Sequence, residues 1–436
     1  MSRLVTGNKL PPEAKEPLDI SFSENMLVKL LRYFSNLGDA FRIYSPLTQA
    51  DIYVLSHPEH VRHVLVDKHQ NYTKGLGIER VGILLGSGIM VSEGDLWRRQ
   101  RKLLQPAFHR DMIANMMEHI RTANLGLREK WVEAAHSGIK TNVTRNMSEV
   151  TLEVILRSIF GDGLERIIAE HGSNPFSLLI EDTQRNLAFA YKFRALSKLI
   201  AECVERHRAH AEKNADLLTM LIEARDRKSG EPMPERLLLD EIMTLIIAGH
   251  ETTASVLNWV WYLLSQHPEV ESRLHEEIDR FPQAPATTDE IAQLPYTRQV
   301  IEESMRLYPP GWLLTRRSIG PDVIAGYPIA PNTDVFISPY LVHRHPQFWT
   351  DPERFDPERF SATQAGQRNR FCYLPFALGP RACIGEHFAM VEMIYHVALL
   401  SRDVRLRYLP QQPVELECQV NLRTKHPLMM QPELRA

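Results

Sequence analysis

Four cysteines in 436 residues are too few, and too irregularly spaced, for a disulfide framework or a zinc site. Cys203, Cys372, Cys383 and Cys418 match neither pattern, so free thiols in a reducing compartment are expected. Charge of one sign is lacking too. The formal net charge is −3, which gives no global reason for a nucleic-acid or anionic-membrane partner. No apolar run reaches the length that spans a bilayer. The first 22 residues, MSRLVTGNKLPPEAKEPLDISF, lack the apolar core of a signal peptide. These absences point to a soluble, cytoplasmic protein with no membrane anchor. Internal repeats and low-complexity linkers are missing as well. Length alone suggests two or three domains, yet nothing marks a boundary, and residues 1–436 read as one large domain.

What is present is mostly helical patterning. The chain is 44% hydrophobic and 24% charged, an ordinary globular composition. DIYVLSHPEHVRHVLVD runs from a strand into a helix after Pro58. GDLWRRQRKLLQPAF reads as a short helix stopped near Pro106, and apolar positions repeat at helical spacing from Arg145 to Phe160. The longest candidate helix lies between Pro234 and Pro268 and contains one glycine, Gly249. At about 1.5 Å per residue it is roughly 50 Å long, and its apolar IMTLIIAG segment must run through the middle of the protein. After Gly320 short β-like runs alternate with turn residues. A proline-rich, irregular meander follows through PYLVHRHPQFWTDPERFDPERF, and a helix resumes in IGEHFAMVEMIYHVALLSR. The fold class is mainly α with small β-sheets.

One cysteine stands in a patterned setting. FALGPRACIG places Cys383 between Gly379 and Gly385, with Phe376 and Arg381 at fixed offsets. Glycines permit tight turns that bring amides near the sulfur. A helix starting near Ile384 would favour the thiolate through its positive end, and amide hydrogen bonds would tune any metal it bound. A lone cysteine in a turn is ordinarily just buried. Phe-x-x-Gly-x-Arg-x-Cys-x-Gly, however, resembles the haem-binding signature of the cytochromes P450. The resemblance implies that Cys383 is the proximal thiolate on haem iron, that Phe376 packs near the sulfur, and that Arg381 meets a haem propionate.

Further segments resemble that family in order, over roughly residues 25–430. Glu303 and Arg306 in ESMR stand three apart on one helical face; alone they would be an ordinary ion pair of little worth. The family pairs a Glu-x-x-Arg with the arginine of a Pro-Glu-Arg-Phe segment in a buried triad. DPERF occurs twice here, and family context selects Arg359 over Arg354. AGHETT, Ala248 to Thr253, puts an acid and two threonines inside an apolar helix, where threonine hydroxyls can bond back to a carbonyl. The resemblance implies that this stretch lies over the haem. Glu251 and Thr252 would then deliver protons, and Ala248 and Gly249 would leave room for O2 and substrate. His250 reads as a solvent or helix-packing residue. Trp97 and Arg101, four apart on one face, resemble a pair that reaches a propionate. Arg98, Arg99 and Lys102 remain for other faces, either as a solvated charged surface or as a dock for an acidic ferredoxin or flavodoxin. In LYPPGWLLTRRS the matching family segment lines the pocket and ends in a propionate-binding arginine. That assigns Arg316, with Arg317 as competitor, and makes Gly311, Trp312, Leu313 and Leu314 pocket candidates. LLGSGIMVSEG resembles the loop that drops a side chain over the haem, here Met90. The stretch between Gly161 and ADLLTMLIEARD is short for the lid region of the family.

The implied cofactor is haem b (iron protoporphyrin IX). The implied activity is a soluble, bacterial-type mono-oxygenase. It would insert one oxygen atom of O2 into an apolar small molecule, terpenoid, fatty acyl or polyketide-like. Electrons would come from NAD(P)H through a separate reductase and a ferredoxin or flavodoxin, since no fused flavin domain or iron–sulfur cysteine set is present. A haem-thiolate peroxygenase or rearrangement enzyme, and a non-catalytic haem sensor, are the alternatives. The Glu251–Thr252 pair argues against both, because neither needs a proton relay for O2.

Overall fold

The computed structural model describes residues 9–17, 25–181, 187–210, 216–227, 229–409 and 413–435. Most of the first 22 residues, and part of the stretch read as a short lid, lie outside the described residues. The described chain is mainly helical with small sheets, and it clusters into two compact units, each assembled from separated segments.

The first unit takes residues 1–78, 305–383 and 416–423. Its sheet has five strands: β1 (Ala40–Ser45), β2 (Ala50–Leu55), β3 (Tyr72–Lys74), β4 (Leu314–Ser318) and β5 (Asp334–Ile337), in the order β1-β2-β5-β4-β3. β2 and β5 run parallel, with Ile52 opposite Asp334 and Leu55 opposite Ile337; the other neighbours are antiparallel. β5 is buried at every position, as a central strand covered on both faces must be. One core cluster gathers Phe41, Ile43, Val54, Trp312, Phe336 and Tyr340. After β2, the helix Pro58–Arg62 opens into a π-helical turn, His63–Asp67. Such turns are rare and accumulate at functional sites.

The second unit takes residues 79–304, 384–415 and 424–436. Four of its helices matter for function: α1 (Gly94–Leu104), α2 (Val143–Phe160), α3 (Glu235–Gln266) and α4 (Pro295–Leu307), whose last turn belongs to the first unit. A fifth, α5 (Glu386–Leu400), follows the patterned cysteine. The 32 residues of α3 make it about 48 Å long. Most of the side chains of α3 are buried, in keeping with its apolar sequence. α2 and α3 pack closely. A Cβ on Gly249 would meet two Ile155 side-chain carbons at 3.0 Å, and Thr151 Oγ1 donates to the His250 carbonyl at 3.1 Å. His250 is 2% exposed, a helix-packing residue rather than a solvent-facing one. Among the described residues no helix is long and apolar enough to cross a membrane.

Candidate haem-thiolate site

In the first unit the segment before Cys383 doubles back on itself. The Cys383 N–H donates to the Phe376 carbonyl at 2.8 Å, closing a loop that contains Ala377 at φ +59° and Gly379 at φ +73°. Gly379 cannot be replaced. Its conformation is left-handed, and a Cβ would fall 2.0 Å from the carbonyl oxygen of Leu65, in the middle of the π-helical turn. Gly385 differs: at φ −91° it precedes α5, and a Cβ there would find only Phe108, at 3.7 Å. The helix after the cysteine begins at Glu386, two residues later than the sequence suggests.

The four cysteines separate cleanly. Burial pushes the thiols of Cys203 and Cys372 up to about 11 and that of Cys418 up to about 12, so these three stay protonated. Cys383 alone is exposed. An exposed sulfur on a braced loop can serve as a single thiolate donor, and the soft donor would suit iron.

The meander before this loop is held by Arg306. Its side chain is fully buried and donates to the carbonyls of His343 (3.0 Å), Pro352 (2.6 Å) and Arg354 (3.0 Å). Glu303 is fully buried on the same helix. Arg359 is half-buried and donates to the Asp351 carbonyl at 2.9 Å, whereas Arg354 is exposed and takes part through its carbonyl. His343 escaped the sequence reading. It is fully buried, its Nε2 accepts from the Leu374 N–H at 2.9 Å, and its Nδ1 lies 3.2 Å from the Arg306 carbonyl. Accepting at Nε2 requires a neutral ring that donates from Nδ1. Burial, helped by Arg306, lowers its pKa to about 3. His343 thus ties the Arg306 helix to the segment that enters the cysteine loop. The only sequence signal was a histidine in a proline-rich stretch.

Strand alternation separates the two arginines of β4. Arg317 forms a two-pronged pair with the buried Asp334, at 3.0 and 2.8 Å. Arg316 points to the opposite face, and one of its nitrogens donates to the Thr315 carbonyl at 2.8 Å. The choice of Arg316 as the propionate partner is compatible with this, because Arg317 is committed. Trp312 is different from what the pocket assignment requires. It is 4% exposed, belongs to the core cluster of the first unit, and donates its indole N–H to the Gln419 carbonyl at 2.9 Å. It is a core residue, so the pocket assignment is corrected there. Leu313 packs at the edge of the same cluster, Leu314 packs against a neighbouring one, and Gly311 has open space where a Cβ would stand.

In the second unit the central turns of α3 hold Ala248, Gly249, Glu251 and Thr252, all half-buried. Thr252 Oγ1 donates to the Ala248 carbonyl at 2.9 Å. This consumes the hydroxyl proton and leaves the oxygen lone pairs free to accept. The Cβ direction of Gly249 is filled by Ile155, so the missing side chain there serves the close approach of α2. On α1, Trp97 and Arg101 are half-buried, and Arg101 Nε donates to Gln105 at 3.1 Å. Met90, 36% exposed, sits in the loop before α1. Arg98, Arg99 and Lys102 line a groove of about 1290 Å³ together with Arg225, Arg227, Asp95, Glu223 and Asp226. Arg99 is paired with Asp226 at 3.0 Å.

Comparison with known proteins agrees with this chemistry. Residues 17–431 match the family described as Cytochrome P450. The chain is similar to the protein LUTEIN DEFICIENT 5, chloroplastic, of Arabidopsis thaliana, at 32% identity over 92% of this chain and 73% of that protein. It is also similar to cyclooctat-9-en-7-ol 5-monooxygenase of Streptomyces melanosporofaciens, at 31% identity over 82% of this chain and 81% of that one. Its fold resembles the crystal structure of the cytochrome P450DA heme domain, with a TM-score of 0.86, 22% identity, and 98% of each chain covered.

Proposed function

The chain belongs to the cytochrome P450 family of haem-thiolate mono-oxygenases, and on that premise we propose that it hydroxylates an apolar small molecule of the terpenoid, fatty acyl or polyketide-like kind. One observation carries the assignment of the iron ligand: of four cysteines, only Cys383 is exposed, at the end of a loop braced by Gly379. The relative named for a cyclooctatenol mono-oxygenase supports an alicyclic hydrocarbon skeleton as substrate. The half-buried leucines at 313 and 314, with Met90, would supply apolar contact.

Haem b, held by Cys383, would supply the reductive activation of O2, and a thiolate ligand would favour that chemistry by donating electron density. The chain's own residues do the rest. Cys383 gives the thiolate, Phe376 covers it, and the backbone turns at Ala377 and Gly379 fix its position. Trp97, Arg101, Arg316 and Arg381 would hold the two propionates as charge-assisted donors. Glu251 would take a proton from solvent and deliver it, and Thr252 Oγ1, its own proton held by the Ala248 carbonyl, would accept a hydrogen bond that orients the group being protonated. The basic groove beside α1 carries six lysine and arginine side chains, Arg101 among them, against three acidic ones among its described lining residues. That balance favours docking of an acidic ferredoxin or flavodoxin reduced by an NAD(P)H-dependent enzyme.

The test is spectroscopic. Haem-loaded protein, reduced under carbon monoxide, is expected to show the red-shifted Soret band of thiolate ligation, and Cys383→Ala is expected to abolish it. Persistence of the band in that variant sinks the reading. Turnover with NADPH and a ferredoxin system, but not with hydrogen peroxide alone, distinguishes a mono-oxygenase from a peroxygenase.

A further inference from the structure

The loop that carries Met90 is fastened to α3 by contacts that the chemistry above does not use. Gly86 adopts φ +56°, and a Cβ there would fall 2.3 Å from a carboxylate oxygen of Asp240. A Cβ on Gly88 would fall 2.0 Å from Thr244 Oγ1 and 2.9 Å from the Asp240 carbonyl oxygen. Both glycines therefore answer the close approach of loop to helix. The Ser87 N–H donates to Asp240 Oδ2 at 2.8 Å, and the Ile89 N–H donates to Glu241 Oε2 at 3.0 Å. From α1, the fully buried Gln100 donates its Nε2 to the Ser87 carbonyl at 2.7 Å.

Glu241 is itself 0% exposed. Burying a carboxylate is costly, and a helix that needed only to pack would place an apolar side chain at this position. A carboxylate accepting from a backbone amide makes a stronger bond than a neutral acceptor would. The last amide so held belongs to Ile89, and Met90 follows it directly. Glu251 and Thr252 lie on the same helix, about 15 Å further along at 1.5 Å per residue. One rigid rod thus fixes the Met90 loop and carries the proton-relay pair.

We propose that Asp240 and Glu241 are positioning residues for substrate selection. They lock the backbone of Ser87–Met90 against α3 and so set the shape that a bulky apolar ligand meets at Met90. The inference rests on the haem-thiolate reading above. A small ligand that needs only the iron does not feel the clamp; a larger one that must press on the loop does.

The test uses full-length, haem-loaded protein with Glu241→Ala, Glu241→Gln and Asp240→Ala. Two probes, imidazole and 4-phenylimidazole, are titrated by the shift of haem absorption. Hydrogen exchange is followed in the peptide spanning Gly86–Met90. Loss of one charge-assisted bond predicts about tenfold faster exchange and about tenfold weaker 4-phenylimidazole binding in Glu241→Ala, with imidazole changed by less than about twofold. Glu241→Gln keeps an acceptor oxygen and is expected to restore both readouts to within about threefold of wild type. Asp240 is only half-buried, so Asp240→Ala gives the same direction in a variant whose folding is at less risk. Unchanged exchange, or equal weakening of both probes, overturns the proposal. A wild-type protein without the carbon monoxide band instead defeats the haem reading, while the exchange comparison still judges the clamp.

Discussion

Thr252 shows how much a single hydroxyl is asked to do. Its proton is engaged by the Ala248 carbonyl at 2.9 Å, so in the proposed proton delivery it would act as an orienting acceptor rather than as a source. Thr252→Ala is expected to cut product formed per NADPH consumed by up to about a hundredfold, the lower end of what a positioned proton-transfer group contributes, while NADPH consumption continues. Thr252→Ser is expected to restore the ratio, because the oxygen remains. A ratio unchanged in the alanine variant would remove Thr252 from the relay. At this scale the motif residues were legible because their chemistry is local in sequence: Cys383, Phe376 and Gly379 lie within eight positions. His343, Asp240 and Glu241 were not legible, because what they hold lies 31 to 153 positions away. Trp312 was misread for a related reason, since its indole partner, Gln419, is 107 residues downstream.

Among the elements, α5 contains an anomaly. Glu392 is 2% exposed, its Oε1 has no hydrogen-bond partner, and burial raises its pKa well above the usual carboxylate value. The folded chain therefore keeps a proton that the unfolded chain releases above about pH 4.5, and stability is lost as pH rises beyond that point. Glu392→Gln removes the penalty. It is expected to raise the thermal midpoint by about 1–4 °C at pH 8 and by progressively less toward pH 5; equal effects at both values would show that the carboxyl is not the cause. Helices with strong periodicity, such as α2 and α3, emerged with nearly their expected bounds, and the β-like stretch after Gly320 holds the short strands Asp322–Ile324, Tyr327–Ile329 and Asp334–Ile337. The π-helical turn His63–Asp67 did not, because its wider hydrogen bonding has no sequence pattern of its own. Gly249 had been read as open space for O2, yet its bare face meets Ile155, a tertiary contact that no helical spacing reveals.

For the whole molecule, acid is the expected weakness. His343 and His396 are buried neutral, each with an acceptor nitrogen already used: the former by the Leu374 N–H, the latter by the Trp261 indole N–H at 2.9 Å. Burial lowers both pKa values to about 3. Below about pH 6.5 the unfolded chain binds two protons that the folded chain refuses, so stability falls as pH drops toward 3, at about 1.4 kcal/mol per pH unit for each ring. The urea midpoint is expected to decline between pH 7 and 5, and His396→Gln should make that decline shallower by about one proton. An unaltered slope would place the sensitivity elsewhere. The family and the mainly helical architecture were legible at this scale because the motifs are ordered along nearly the whole chain. The grouping into two units was not, because each is stitched from distant segments. That stitching has a consequence for biosynthesis. β2 pairs with β5, whose residues leave the ribosome 282 positions later, from Ile52 to Asp334. At about 5–20 residues per second, the early strands wait roughly 14–56 s for their partner, and Leu65 waits longer for the Gly379 turn that leans on it. Closure of the Cys383 loop against Leu65 is therefore a late event, reached only after most of the polypeptide has been made.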